Sequence, residues 1–336
     1  MLPEGVEYHA GVTGNGILYV LGGFHFTENG MYLANLVYYA KINPDGTVGS
    51  WQTTSPLPQT LYFLSASVWN NTVYVVGGEN LNPDTGISTV SSNVYSATIQ
   101  ADGSLSSWVT QPSLPVNIYA QGEVANGMLY VLGGYVDEGQ AVGSSVYYSK
   151  INTGGSLAGW NQTTPLVPTL QGDAYIGAAA ASGRIFTMGG FNGSGGVSTC
   201  YNAAVMGDGT LGAWLVGPSL SQPIGGMGVA VSGSYIFMTG GQNTGGANLS
   251  GVYSLALPTP PTAPTLTKSN LVAGTFNLRL TSTQTNIGFG LLASTNLVNW
   301  TNIGWGFTGT NGLLSFQDTN AVSFPNRFYR AYWPLP

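Results

Sequence analysis

The chain carries little charge. Lys, Arg, Asp and Glu together make up 6% of its 336 residues, against about 25% in an ordinary soluble domain. Three Lys and four Arg against thirteen acids leave a net charge of −6. A surface so sparsely charged projects almost no long-range field, which excludes nucleic acid and an anionic lipid surface as partners. Cysteine is nearly absent: Cys200 stands alone, so neither an intramolecular disulfide nor a cysteine-built metal site is available. There are two histidines, His9 and His25. No run of about 18 apolar residues occurs, so no helix-forming span of a bilayer is expected. No basic-plus-apolar leader opens the chain. Its Thr/Asn/Gly-rich, Lys-poor character, with Asn-x-Ser/Thr triplets at Asn70, Asn161, Asn192, Asn248 and Asn299, predicts an exported extracellular or cell-surface protein whose leader is not in this sequence.

What the chain has instead is glycine, aromatic residues and repetition. Glycine accounts for 50 residues, hydrophobic residues for 43% and aromatics for 12%. This is a composition that buries a core and does not stay disordered. The stretch Leu18-Tyr19-Val20-Leu21-Gly22-Gly23 returns four times, with glycine pairs at 22–23, 77–78, 133–134, 189–190 and 240–241. Before each pair lies a short Ala/Gly/Val strand and a turn such as Asn15-Gly16 or Asn126-Gly127, the dipeptide that supplies positive φ to a hairpin. After each pair comes a variable loop and a third strand, for example Val37-Tyr38-Tyr39 or Val252-Tyr253-Ser254. In the first four repeats a tight turn (Asp45-Gly46, Asp102-Gly103, Gly154-Gly155, Asp208-Gly209) leads six residues on to Trp51, Trp108, Trp160 and Trp214.

Four strands per unit, a Gly-Gly second strand, a third-strand Tyr and a fourth-strand Trp, at a period near 50 residues, resemble a kelch-type β-propeller over residues 3 to about 257. The resemblance implies an all-β, five-bladed propeller over 1–257, with repeats at about 3–57, 58–114, 115–167, 168–221 and 222–257. The fifth repeat stops at Leu257-Pro258 without the Asp-Gly turn or the Trp strand. That makes nineteen strands where five full blades need twenty, and it leaves a sheet edge open to strand addition. Residues 258–264 read as a stiff Pro-rich linker. Residues 265–336 read as a small β-sandwich-like domain, with turns at Thr295-Asn296, Gly309-Thr310-Asn311-Gly312 and Asp318-Thr319-Asn320. The runs Ala293-Ser294-Thr295-Asn296-Leu297-Val298-Asn299-Trp300-Thr301, Phe316-Gln317-Asp318 and Arg327-Phe328-Tyr329-Arg330-Ala331 resemble a small all-β module at the C-termini of secreted proteins of environmental bacteria. That module is associated with export, surface attachment or interdomain packing.

No constellation for catalysis stands out, and neither a cofactor nor a metal is expected. His9 and His25 fall short of a metal ligand set. Cys200 reads as a small buried hydrophobe without a basic partner. Asp45, Asp102 and Asp208 belong to turns. Asp137-Glu138, and Glu79 with Asp84, are acids that could meet a cation, but the run Asn80-x-Asn82-x-Asp84 has Gly86 out of place for a calcium loop and no twelfth-position acid. Acids on the innermost strands are limited to Glu7, Glu123 and Asp173, too few for a paired-carboxylate hydrolase. The repeat tryptophans read as blade core.

Two binding roles follow. The first is self-assembly: residues 326–336 of one copy complete the fifth blade of another, head to tail, with Phe328, Tyr329, Arg330, Tyr332, Trp333 and Leu335 donated to an edge bearing Tyr253 and Leu255. Closure within one chain is the plain alternative. The second is binding of a polysaccharide by the loop aromatics Phe24, Phe26, Tyr32, Tyr135 and Phe191, which a propeller gathers on one face.

Overall fold

The computed structural model describes every residue except 29, 83–84, 137–140, 167–174, 193–194, 258–262, 273, 284, 286–287, 299 and 333–336. The propeller is a row of five antiparallel meanders. Blade one runs Ala10–Gly14, Ile17–Leu21, Val37–Lys41, Gln52–Thr53, and blade two Ser65–Trp69, Thr72–Val76, Val94–Thr98, Val109–Thr110. Blade three runs Ile118–Ala125, Met128–Val136, Val146–Ile151, Leu157–Thr163, and blade four Gly177–Ala181, Arg184–Met188, Cys200–Ala204, Leu215–Val216. Blade five has three strands, Gly228–Ser232, Tyr235–Thr239 and Val252–Ala256. Asn15 and Gly16 close their hairpin with φ of 53° and 75°, the left-handed pair that a two-residue turn between twisted strands requires. The segments after the glycine pairs are more than loops. Phe24–Thr27 pairs with both Gly5–Glu7 and Gly30–Leu33, Glu79–Leu81 with Ser88–Val90, and Phe191–Asn192 with Gly195–Gly196. Hairpin order is thus built over the blade tops.

The core lies between blades. Tyr19, Leu21, Val37 and Tyr39 of blade one pack on Val73, Val75, Tyr95 and Leu105 of blade two, and the same kind of layer separates each later pair up to blades four and five. One side-chain bond recurs in the first three layers. Tyr19, Tyr74 and Tyr130 are fully buried, and each hydroxyl donates to the carbonyl of a turn glycine in the next blade, Gly103, Gly155 and Gly209, at 2.7 Å. The corresponding residue of blade four is Phe186. It faces blade five, where the sequence has no such turn, so a hydroxyl there would have no carbonyl to meet. A second bond runs the other way: Trp108, Trp160 and Trp214 donate their indole N–H to Ser55, Pro112 and Thr164 carbonyls of the preceding blade, at 3.0, 2.8 and 3.4 Å.

Backbone approach completes the joint. Gly77 (φ 60°) sits where a Cβ would lie 2.2 Å from the Ile118 carbonyl of blade three, and Gly78 N–H bonds that same oxygen. No other residue fits such a contact. Gly240 of blade five has the same positive φ, but the space beside it is open, its nearest neighbour being the Leu249 carbonyl at 3.7 Å.

The ring has a seam between blades five and one. On blade one's seam side, Val20, Tyr38 and Ala40 are buried, and a polar knot holds the N-terminal segment against it. The Glu4 carboxylate receives Tyr32 OH at 2.9 Å, His25 Nδ1 at 2.9 Å and the Tyr38 hydroxyl. Burial raises the pKa of Glu4, but the bonds from Tyr38, His25 and Tyr32 outweigh it and hold the carboxyl below its ordinary range. Blade five's seam side is bare. Val252 is 70% exposed, Tyr235 47% and Phe237 37%, whereas Phe186, one blade earlier, is 5% exposed.

Residues 265–332 form two three-stranded antiparallel sheets. One orders Thr265–Val272, Thr275–Thr281, Leu313–Asp318, and the other Thr301–Phe307, Gly288–Ser294, Phe328–Tyr332. They enclose Leu278, Leu280, Phe289, Leu291 and Phe316, which is a small sandwich. Buried Asp318 accepts from Arg327 Nε and Tyr329 OH. Arg184 of blade four stacks over Phe307 of the sandwich at 5.3 Å.

The tyrosine bond between blades has a measurable weight. Tyr130→Phe strands the Gly209 carbonyl in a buried layer and should cost about 1–2 kcal/mol, read as a lower denaturant midpoint at unchanged slope. Phe186→Tyr should give no matching gain.

Candidate functional site

The strands that pack into blades also set one aromatic residue from each of the first four repeats at the mouth of the axis. Tyr8, Phe63, Tyr119, Tyr175 and Gly226 each stand fourteen residues before the first glycine of their pair (8→22, 63→77, 119→133, 175→189, 226→240). Tyr8, Phe63 and Tyr175 hold left-handed backbone, with φ of 55°, 52° and 55°, as does Gly226 at 67°. For a bulky side chain this conformation is uncommon and costs of order 1–3 kcal/mol each. It persists because backbone bonds impose it: Phe63 N–H donates to Tyr8 O at 3.0 Å, and Gly226 N–H to Tyr175 O at 2.8 Å. Tyr119 instead sits beside a register shift in the innermost strand of blade three.

The rings converge. Phe63 lies 4.3 Å from Tyr8, 5.3 Å from Tyr119 and 5.5 Å from Tyr175, centroid to centroid. Phe24 joins at 4.8 Å from Tyr62, Tyr135 at 5.1 Å from Tyr119, and Phe191 at 6.4 Å from Tyr175. Burial raises the pKa of Tyr119 and of Tyr175, so their hydroxyls stay neutral donors through the physiological range. Where the fifth position is Gly226 and no ring fills the circle, a cavity of about 610 Å³ opens. Its wall combines Tyr8, Phe63, Tyr175 and Phe191 with the polar Glu7, His9, Gln121, Gln242 and Asn248. Burial lowers the pKa of His9.

Of the five loop aromatics singled out from the sequence, the fold brings Phe24, Tyr135 and Phe191 to this mouth. Phe26 is 40% exposed with its strand paired to Gly5–Glu7, and Tyr32 is bound to Glu4, so both belong to the blade-one corner. The residues at the centre, Tyr8, Phe63, Tyr119 and Tyr175, were missed, although their fixed spacing from the glycine pairs was in the sequence. Of the assembly residues, Tyr253 and Leu255 face inward against blade four. Phe328, Tyr329, Arg330 and Tyr332 lie in a strand already paired with Gly288–Ser294. Tyr329 stacks on Phe276 at 5.3 Å and Arg330 over Trp300 at 4.3 Å, so this segment is part of the sandwich and not a free tail. Trp333 and Leu335 fall outside the described residues, as do Asp84, Asp137, Glu138 and Asp173.

The remaining candidates resolve locally. Cys200 is buried and its thiol is pushed up to about 11 by that burial, the opposite of a nucleophile's environment. Asp45, Asp102 and Asp208 each accept the N–H and hydroxyl of the residue two positions on, as turn residues do. Asn80 Nδ2 is spent on Thr60 O at 2.7 Å. Glu123, on the innermost strand of blade three, is pushed up to about 7 by burial, against which the Ala180 backbone bond works only in part. A raised carboxyl favours the folded state while it keeps its proton. Stability held below about 4.5 is therefore lost as pH rises through about 7. Glu123→Gln should abolish that loss, so that the thermal midpoint of the variant exceeds the parent's at pH 8 and not at pH 4.

No family model matches the chain. Among curated proteins it is similar to Kelch-like protein 41a of Danio rerio, 22% identical over 194 residues, 57% of this chain and 29% of that protein. It is likewise similar to Kelch-like protein 26 of Danio rerio, 27% identical over 196 residues (56% and 29%). A third relative is human Kelch repeat and BTB domain-containing protein 12, 27% identical over 187 residues (53% and 28%). The chain thus spans under a third of the length of these relatives. Among solved structures, that of YjhT superposes with a TM-score of 0.60 at 18% identity, covering 76% of this chain and 82% of the other. Blade order, interblade layers and these likenesses agree: residues 10–256 fold as a kelch-type β-propeller.

Proposed function

We propose that the chain is a non-catalytic binding protein, working outside the cell, whose propeller mouth takes up a neutral saccharide. The observation that carries this reading is the 610 Å³ cavity walled by Tyr8, Phe63 and Tyr175 of the aromatic circle, all three held in left-handed backbone. Strained backbone concentrated at one opening is a mark of a functional site. The chemistry suits a sugar: flat aromatic faces take the C–H face of a pyranose, and the amides of Gln121, Gln242 and Asn248 meet hydroxyls. The low charge of the chain argues against an ionic ligand. Glycan-array screening followed by calorimetry should find an oligosaccharide whose affinity drops at least about tenfold, or 1.4 kcal/mol, in Phe63→Ala and in Tyr175→Ala at unchanged thermal stability. Absence of binding across neutral glycans, or affinity indifferent to both changes, would sink it.

A second reading, self-assembly, is favoured by the three-stranded fifth blade. Kelch-repeat relatives support a role in protein interactions in general terms. Donation of residues 326–336 to a neighbour would first have to break the pairing of Phe328–Tyr332 with Gly290–Ser294 and the Asp318 bonds to Arg327 and Tyr329.

A further inference from the structure

The open edge of blade five is a third strand left outermost, and it differs from the edges of the other four blades. Blade three ends in a longer fourth strand, Leu157–Thr163, but that strand is interrupted by Gly159 at φ 108° and by a register shift against its neighbour. Blades one, two and four end in fourth strands of two residues, Gln52–Thr53, Val109–Thr110 and Leu215–Val216. A ladder that short offers little for another chain to pair with. Blade five ends in the five-residue strand Val252–Ala256, with the sequence Val-Tyr-Ser-Leu-Ala. It contains no charge, no proline and no glycine, and so lacks the devices that keep sheet edges apart.

The hydrogen-bonding sense of that edge can be read from its neighbours. In blade one, Gly22 N–H bonds inward to Leu36 O, and the next residue turns outward, Val37 O accepting from Thr54 of the fourth strand at 3.0 Å. Blade two repeats this with Asn93 inward and Val94 outward to Gln111, and blade four with Thr199 inward and Cys200 outward to Gly217. In blade five, Gly240 N–H bonds Gly251 O, and Leu257 N–H bonds Ser234 O. Alternation then turns Val252, Ser254 and Ala256 outward. Among the described residues nothing takes the place that Thr54, Gln111 and Gly217 fill in the other blades.

We infer that a second copy of this chain supplies the missing strand, Val252–Ala256 pairing antiparallel with Val252–Ala256 across a two-fold axis. This rests on the reading of the chain as self-assembling and names the surface. Three observations select this occupant. A blade requires its fourth strand antiparallel to the third, which is the sense a two-fold axis produces. With Ser254 at the axis, outward groups meet outward groups, Ser254 opposite Ser254 and Val252 opposite Ala256, so the strand is complementary to itself. Among the described residues, the blade-five side of the seam is bare, Val252 being 70% exposed, whereas the Glu4–Tyr38 knot closes the blade-one side. Both open edges are satisfied at once, and the assembly closes at two copies.

The decisive measurement is the solution mass of the full chain, parent against Ser254→Pro. Proline removes only an outward N–H and is tolerated on an edge strand, so the inner ladder to Tyr235–Thr239 survives. Parent at twice 34.9 kDa and Ser254→Pro at the monomer mass, with the thermal midpoint of the propeller retained, is the expected result. Ser254→Lys, which sets like charges opposite each other at the axis, should also give monomer, and covers the case in which the proline variant fails to fold. A parent dimer that both variants leave intact overturns this edge while leaving self-assembly standing. Open filaments overturn the two-fold form. A monomeric parent overturns the inference and the self-assembly reading together.

Discussion

The propeller depends on the joint that each blade makes with the next. The glycine pair ending the second strand lets the next blade's backbone approach to a distance no Cβ would permit, as at Gly77 against Ile118 O. Three residues earlier in the same strand, a tyrosine reaches across to the neighbour's turn carbonyl. The tryptophan of the following blade reaches back. These three contacts fix spacing, register and tilt together, so the inner strands end in a circle and the residues preceding them converge. The mouth is therefore a consequence of the joint. Tyr8, Phe63, Tyr119 and Tyr175 meet because four repeats are placed by the same contacts.

Where the joint is interrupted the chain changes accordingly. Blade four, facing a blade without the turn, has Phe186 in the tyrosine's place. Blade five has Phe237 there, 37% exposed, and its Gly240 lies beside open space. Blade one has Trp51 at its fourth strand, without the backward indole bond that Trp108, Trp160 and Trp214 make among the described residues. The two flanks of the seam are finished differently, one by an N-terminal strand and a carboxylate knot, the other by nothing among the described residues. The same interruption leaves Gly226 where a fifth ring would stand, which is why the aromatic circle opens into a cavity on that side.

Much of this was legible in the letters. Spacing of the glycine pairs, the turn-to-tryptophan interval and the truncated fifth repeat gave the blades and their strand order, because each is a local pattern recurring at a fixed offset. The small β-sandwich-like character of the C-terminal segment was read from its short strands and turns, while its division into two three-stranded sheets came from the structure. The mouth was only half legible. The irregular segments after the glycine pairs, which a propeller gathers on one face, pointed to Phe24, Tyr135 and Phe191, whereas Tyr8, Phe63, Tyr119 and Tyr175 stand before the pairs and meet only when the repeats close around the axis. Phe26 and Tyr32 share those segments but are turned aside by pairing with Gly5–Glu7 and by the Glu4 carboxylate, a long-range contact that no local pattern announces.

By itself, then, the sequence determined the repeat unit, its four-strand plan, the loss of a strand in the fifth unit and the near absence of charge. All of these are set by neighbours within about fifty residues. Tertiary structure alone decided which flank of the seam is covered, that Phe328–Tyr332 pairs inside the sandwich, and that four aromatics fifty residues apart share one opening. Those outcomes depend on backbone hydrogen bonds and packing between segments far apart in the chain, and a linear pattern does not specify which distant edge or carbonyl a segment will meet.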